Sequence, residues 1–181
     1  SISGDTVLVQ PGFYHENITI DSKNIVIGSL FLTSNDTSYI ASTVIDGDSF
    51  LATIVTYTGS IDTTSLLTGF TITGGDSFGN GGGISCIDAS PTISFNIIRD
   101  NYCKDLGGGI YLNNSDAIIF KNTITGNFLT SDMSNQGGGI YSSESDVKII
   151  GNIISNNSTN YDGYGGGIAC YSNNSHSYIF N

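Results

Sequence analysis

The sequence predicts an all-β solenoid, a parallel β-helix with three short strands per coil, from three observations. The motif GGGI occurs four times at spacings of 26, 30 and 28 residues, with its first glycine at Gly81, Gly107, Gly137 and Gly165. A period of this size indicates a repeat architecture. The apolar residues between the motifs form short β-rich runs, such as "TISF" and "AIIF", without helical spacing. Polar residues also recur at constant distances from each glycine triplet.

Two asparagines mark each repeat. Counted from the last glycine of a triplet, the first lies 13 residues on, at Asn96, Asn122 and Asn152. The second lies 18 residues on, at Asn101, Asn127 and Asn157. The intervening segments, "NIIRDN", "NTITGN" and "NIISNN", follow one NxxxxN template. Each repeat is therefore a fixed part followed by one loop of changing length.

Coils that stack in register place identical positions in columns about 4.8 Å apart. The glycines then meet at one corner, where the backbone needs positive φ or lies too close to the next coil for a Cβ. The asparagines suit a second corner, since Asn tolerates left-handed backbone and stacked amides can hydrogen-bond along a column. Three inward columns are predicted to form the core: Ile84/Ile110/Ile140/Ile168, Ile93/Ile119/Ile149 and Ile98/Ile124/Ile154.

Residues 1–181 are predicted to form one domain, with degenerate coils over 1–80 and regular coils over 81–181. We expect about five coils plus a partial sixth, each coil being one repeat. The stretch "DTVLVQPGFYHENITI" reads as two strands around a Pro-Gly turn, and "GFTITG" takes the place of NxxxxN. Segments 30–42 and 57–65 are expected to be side loops, and 128–136 a loop that tolerates trimming.

The repeated GGGI and NxxxxN motifs, with "GDTVLVQPGFYHENI" near the start and "GFTITGG" before "GNGGGI", resemble the right-handed parallel β-helix proteins of the pectin-lyase-like superfamily. The nearest resemblance is to secreted and cell-surface proteins with GGGI and FxxN repeats, such as the polymorphic outer-membrane proteins. The resemblance implies a single-stranded right-handed solenoid, as does the bias of parallel crossovers. It implies little about activity, because the superfamily includes lyases, glycosidases, adhesins and proteins without known activity.

Composition limits the partners. The formal net charge is −11, from 16 acids and five bases, which argues against nucleic acid because phosphate binding needs a basic surface. No apolar run approaches the roughly 18 residues of a membrane span, so membrane insertion of this segment is not expected. The start "SISGDTVLV" shows no secretion signal. We expect an extracellular or cell-surface chain whose signal was removed, or an excised fragment.

The three cysteines are interpreted as thiols. Cys86 and Cys170 share one offset from the glycine triplet and are predicted to be small buried hydrophobes. They lie three coils apart, about 14 Å at the spacing of stacked strands, which is too far for a disulfide. Cys103 is expected in a variable loop.

The sequence offers no recognisable catalytic set, so we predict no catalytic residue. A glycosidase needs two nearby carboxylates, and the motifs of pectate lyases and polygalacturonases do not occur. Arg99 beside Asp100 indicates a local surface ion pair, and Asp46 and Asp48 in "IDGD" indicate a turn.

One column of acids is a candidate calcium site. Asp116 and Asp146 share an offset of seven residues from the triplet, and Glu144 lies nearby. Like charges about 5 Å apart raise one pKa or recruit a cation, and calcium takes such oxygen ligands. Carboxylates that splay into solvent are the simpler alternative. No other cofactor is expected.

Tyr111 and Tyr141 share the offset after GGGI and are predicted to point outward. Such a pair on an elongated acidic surface could stack on sugar rings, which present apolar faces. Two exposed tyrosines without a ligand are the alternative.

The leading functional hypothesis is a non-enzymatic structural or adhesive segment of a secreted or surface-displayed protein. Its expected partners are extracellular carbohydrate or protein and, through the exposed strand edges at the coil ends, further copies of itself. The alternatives are a polysaccharide lyase or glycoside hydrolase, and a carbohydrate-binding module without catalysis.

Overall fold

The computed structural model describes residues 1–47, 51–130, 136–160, 163–171 and 176–180. These residues form short strands, numbered β1 to β22 in chain order, and two short helices, α1 and α2. The strands stack into three long parallel sheets and one short one. The predicted parallel β-solenoid is confirmed.

Each sheet collects one strand from successive coils. Sheet A contains β1 (Thr6–Val9), β4 (Val26–Ser29), β7 (Leu66–Thr68), β11 (Thr92–Ser94), β15 (Ile118–Phe120), β19 (Lys148–Ile150) and β22 (Tyr178–Phe180). Sheet B contains β2 (Gly12–His15), β5 (Thr43–Asp46), β8 (Thr71–Thr73), β12 (Ile97–Arg99), β16 (Thr123–Thr125) and β20 (Ile153–Ser155). Sheet C contains β3 (Ile18–Asp21), β6 (Val55–Ile61), β10 (Ile84–Ala89), β14 (Ile110–Asn113), β18 (Ile140–Ser143) and β21 (Ile168–Tyr171). The short sheet D contains β9 (Asp76–Ser77), β13 (Tyr102–Cys103) and β17 (Phe128–Leu129).

The chain passes through sheets A, B and C once per coil, so the described residues complete six coils and β22 begins a seventh. The count exceeds the sequence estimate because the first segment holds three strands, β1 to β3, rather than two. Helices α1 (Phe31–Ser34) and α2 (Ser38–Ser42) form an insertion between β4 and β5 of the second coil.

The three isoleucine columns form the core in the predicted register. Their central members, for example Ile98 and Ile124, are completely buried. Ile154 and Ile168, near one end of the solenoid, are partly buried and pack against the same cluster. Burial of a branched side chain stabilises a fold by about 1.5–3 kcal/mol, so the repeated columns supply the main driving force for stacking.

The glycine triplets show both properties predicted for this corner, positive φ and a backbone approach too close for a Cβ. The first glycine of each triplet is left-handed, with φ of 73°, 69°, 70° and 64° at Gly81, Gly107, Gly137 and Gly165. The second and third glycines lie against the next coil. A Cβ on Gly108 would lie 2.5 Å from the carbonyl oxygen of Gly138, and one on Gly109 would lie 2.6 Å from that of Gly139. The triplet therefore permits direct backbone contact between coils.

Both asparagine columns form continuous buried ladders. Asn122 Nδ2 donates to Asn152 Oδ1 at 3.0 Å and to the carbonyl oxygen of Ile93 at 2.9 Å. Asn122 Oδ1 accepts from Asn96 Nδ2 at 3.2 Å and from the Asn96 backbone N–H at 3.0 Å. The same pattern joins Asn101, Asn127 and Asn157. Each internal amide therefore satisfies its donors and acceptor inside the solenoid wall.

The sequence predicts left-handed asparagines at these corners. In the structure, the residue before each asparagine adopts the left-handed conformation instead. Positive φ occurs at Phe95 (54°) before Asn96 and at Asp100 (54°) before Asn101. The asparagines themselves are not left-handed. Their identity is required by the buried hydrogen bonds, whereas the turn is made by the preceding residue.

Two predicted loops contain strands. Segment 57–65 includes most of β6, where Tyr57 is completely buried and left-handed Gly59 lies at a bulge opposite β10. Segment 128–136 begins with β17, whose Leu129 is completely buried; residues 131–135 lie outside the described residues. Trimming the whole segment would therefore remove part of the wall.

Gly109→Ala tests the contact between coils. The added methyl must displace a backbone carbonyl, and overpacking of this kind costs about 1–3 kcal/mol. Gly79→Ala is the matched control, because a Cβ there meets no atom within 4 Å. Thermal unfolding should show a lower midpoint for Gly109→Ala only; equal midpoints would contradict the described corner.

Asn122→Asp tests the ladder. The change replaces two donated hydrogen bonds with repulsion between oxygens, which costs about 2–5 kcal/mol at neutral pH. Burial raises the pKa of the introduced carboxyl above its unfolded value of about 3.9, so the penalty should shrink as pH falls towards that value. Urea unfolding against pH measures this. Asn156→Asp, at an exposed left-handed position, should behave like the wild type at every pH.

Ile124→Asp tests the inward register. The loss of apolar burial, about 2 kcal/mol, adds to the cost of burying a carboxyl without a partner, and together they exceed the margin of many domains. We expect no cooperative unfolding transition. Ile153→Asp, at a side chain 63% exposed, should keep the transition; loss of folding in both variants would count against the register.

Candidate functional site

The predicted acid column is assembled by backbone hydrogen bonds. Asp116 Oδ1 accepts from the backbone N–H of Asp146 at 2.8 Å, and Asp146 Oδ1 accepts from that of His176 at 2.5 Å. Ser90 Oγ accepts from the N–H of Asp116 in the same way. One oxygen of each carboxylate is therefore used to hold the next coil.

Glu144 lies in the adjacent left-handed column with Asp88 and Asn114, at φ of 49°, 54° and 49°. Asn114 Nδ2 donates to Asp88 Oδ1 at 2.6 Å. In the described part of the chain, no three His, Cys, Asp or Glu side chains lie together as they would around a metal ion. Calcium binding at Asp116, Asp146 and Glu144 remains a prediction from sequence.

The tyrosine pair is brought together. The rings of Tyr111 and Tyr141 stack with centroids 5.7 Å apart and an interplanar angle of 5°. The residues are 8% and 7% exposed, so most of each ring face is covered. Burial raises the pKa of both phenols, and a hydrogen bond from Asn80 opposes the rise at Tyr111. Sugar stacking on this pair remains a prediction.

The structure describes three of the four charged residues of the predicted ion pair and IDGD turn. Arg99 Nη1 contacts Asp100 Oδ2 at 2.5 Å, and both side chains are about half exposed, as the sequence indicates. Asp46 ends β5, whereas Asp48 lies outside the described residues.

The cysteines are free, but two of the three predicted environments are wrong. Cys170 is exposed in β21, which has a neighbour on only one side among the described strands of sheet C. Cys103 is completely buried in β13, where burial raises the pKa of its thiol to about 12. Cys86 is buried as predicted.

A groove lies on the outer face of sheet A, beneath the helical insertion. Its volume is about 430 Å³. Sheet A provides the floor, the insertion forms one wall, and the corner after β11 forms the other. The lining residues are Phe31, Leu32, Asn35, Thr37, Leu66, Thr68, Ser94 and Phe95.

Two glycines allow the insertion to lie against the solenoid. A Cβ on Gly28 would lie 2.8 Å from Leu32 Cδ2, and one on Gly69 would lie 2.9 Å from Phe31 Cβ. Thr71 Oγ1 also donates to the carbonyl oxygen of Ile40 at 2.9 Å. Helix α1, which carries the groove wall, is therefore anchored to the coils on which it packs.

Three phenylalanines form a chain that starts with Phe31 and Phe95 in the groove and continues to Phe120. The Phe31 and Phe95 rings lie 5.2 Å apart, and the Phe95 and Phe120 rings meet edge to face at 5.6 Å. Lys121 Nζ lies 5.6 Å from the Phe95 ring centroid and 5.2 Å from that of Phe120. One cation therefore borders an aromatic wall.

Phe95 and Lys121 both occupy a strained corner position. Their φ angles are 54° and 52°, and the equivalent residues of neighbouring coils are Gly69 and Gly151, also left-handed. A side chain in this conformation costs about 1–2 kcal/mol relative to the right-handed form. The chain therefore places a ring and a cation where two other coils have glycine.

Sequence reasoning missed this groove because segment 30–42 was interpreted as a side loop. Two signals point to it in retrospect. The insertion contains the apolar run "LFL", which a solvated loop does not need, and the corner column holds Phe95 and Lys121 between Gly69 and Gly151.

Comparison with known proteins identifies a family but no individual relative. Neither described helix is long or apolar enough to cross a membrane. No curated protein and no solved structure matches the chain. The model of a family described as "Protein of unknown function (DUF1565)" matches residues 5–173, which is most of the chain and spans the coils and the groove. This β-solenoid chain therefore belongs to the DUF1565 family.

Proposed function

We propose that the chain is a non-enzymatic structural or adhesive β-helix segment of a secreted or cell-surface protein. The observation that carries the proposal is the use of polar side chains between coils. The asparagine ladders and the Asp116–Asp146 column are bonded along the solenoid axis. Side chains that could act on a substrate serve instead to join coils, which suits a stiff rod.

The groove is consistent with this proposal. None of its eight described lining residues is titratable, whereas polysaccharide hydrolysis needs a proton donor beside the scissile bond. The groove is suited to binding rather than proton transfer. The repeat motifs support kinship with secreted and surface proteins of the pectin-lyase-like superfamily, which we include in the proposal.

Self-association through the coil ends belongs to the same proposal. The outermost described strands carry exposed apolar side chains, for example Phe13 at 73% and Phe180 at 67%. Parallel strand edges can pair with another chain. A second copy or further coils of the same protein would cover these side chains. Sedimentation at increasing protein concentration measures whether copies associate.

An activity screen tests the non-enzymatic role. The folded protein is incubated with a panel of neutral and acidic polysaccharides, with calcium and with a chelator. Reducing ends and unsaturated products are then measured against heat-unfolded protein. We expect both to stay at the level of the unfolded control. Product formation that occurs only with folded protein would show that the chain is an enzyme and would contradict the proposed structural role.

Binding to a glycan array and to immobilised extracellular proteins tests the adhesive role. Folded protein should be retained and unfolded protein should not. Tyr141→Ser tests the predicted sugar stacking, with Tyr164→Ser as the control, since Tyr164 is 70% exposed beside the same glycine corner. Loss of glycan binding in the first variant alone would favour a carbohydrate-binding module.

A further inference from the structure

We infer that the groove on sheet A binds a small organic carboxylate, a molecule with a flat apolar body and one acidic group. This role goes beyond a structural or adhesive segment. It rests on the groove's lining, its rigidity and the position of Lys121, none of which is needed for the coils to stack.

Size and lining suit a small molecule rather than a polymer. A volume of about 430 Å³ falls within the usual range of small-molecule pockets, about 300–1,000 Å³. The walls are apolar, through Phe31, Leu32 and Phe95, and the hydroxyls of Thr68 and Ser94 lie on the floor. A mostly apolar site with a few polar groups is the common pattern for ligand pockets.

The aromatic wall is held in place before any ligand binds. Phe31 is buried against sheet A by the close approach at Gly69, and its ring contacts Phe95. Phe95 is in turn fixed by the edge of Phe120. A planar apolar body can therefore enter without the side chains losing much freedom, which favours binding.

Lys121 determines the expected charge of the ligand. Among the described residues its ammonium contacts the rings of Phe95 and Phe120 and makes no ion pair with a carboxylate. Arg99, by contrast, is paired with Asp100. Lys121 does not itself line the groove, but its Nζ lies 5.6 Å from the ring centroid of Phe95, which does. In a chain of net charge −11, a cation without an ion pair beside this ring complements a single carboxylate whose apolar body lies in the groove.

The backbone supports a binding role for the same two residues. Phe95 and Lys121 adopt a left-handed conformation that Gly69 and Gly151 adopt without strain. Strained residues are found at binding sites where the surrounding structure holds them. Folding alone would be served equally by glycine in all four coils.

Titration with 2-naphthoate, followed by amide NMR of the folded protein, tests the inference. The amides of Leu66, Thr68 and Ser94 on the floor should shift together and saturate. The matched neutral probe, 2-naphthamide, should bind about tenfold more weakly, because a hydrogen bond to a charged group is worth roughly that factor or more.

Variants separate the groove from general electrostatics. Lys121→Gln should remove the preference for naphthoate over naphthamide, and Lys121→Arg should restore it. Lys148→Gln, on the exposed outer face of sheet A, should retain the preference. Ser94→Leu should block both probes by filling the floor, and each variant's thermal midpoint shows whether it is folded.

Three results would overturn the inference: no saturable shift at the floor, equal binding of both probes to the wild type, or equal loss in Lys121→Gln and Lys148→Gln. Dimerisation that 2-naphthoate cannot compete with would assign the groove to a second copy instead. Failure here leaves the scaffold role intact, since that role does not depend on Lys121.

Discussion

The structure depends on exact repetition of one contact, the backbone of each coil against the backbone of the next. The first three glycine triplets allow this contact, because a Cβ at their second or third position would lie within 2.7 Å of a carbonyl oxygen. The asparagine ladders then fix the register, since a shift of one residue would leave buried amides without partners. The isoleucine columns provide the apolar burial that the register aligns.

The corners show how the chain distributes backbone strain. Left-handed residues recur at the glycine triplet, after the strands of sheet C, and before each asparagine column. Most of these positions hold glycine, asparagine or aspartate, which tolerate this conformation. Ser22 and Glu144 depart from this pattern after strands of sheet C, and Phe95 and Lys121 depart from it before the first asparagine column. Phe95 lines the groove, and Lys121 lies over its ring. The departure at Phe95 therefore coincides with a recess that the repeat alone does not produce.

The regular coils could be predicted from sequence because stacking turns an offset in the chain into a position in space. Counting from Gly109 locates Asn122 and Ile124 correctly, and the counts from the other triplets agree. Cys103 and Leu129 were missed because sheet D pairs only two residues per coil, which is too short to leave a periodic signal.

The groove could not be predicted by the same count. It forms between an insertion that occurs once and a sheet face that recurs, and the contact of Phe31 with Phe95 joins residues far apart in sequence. The sequence puts Asp116 and Asp146 in successive coils of one column, but it does not indicate which group each carboxylate binds. Whether Asp116 faces a cation or a backbone N–H depends on the turn beside it, and the structure shows the N–H of Asp146.

The asparagine ladders also give the solenoid a direction. Between Asn96, Asn122 and Asn152, each side-chain bond runs from the Nδ2 of one coil to the Oδ1 of the next coil towards the carboxyl terminus, so the ladder has one polarity throughout. The two directions along the axis are therefore not equivalent: the Oδ1 atoms face the amino-terminal coils, where that of Asn96 accepts from the backbone N–H of Phe70. Copies that continue this coil-to-coil stacking must join head to tail, which generates an open polar filament rather than a closed twofold dimer.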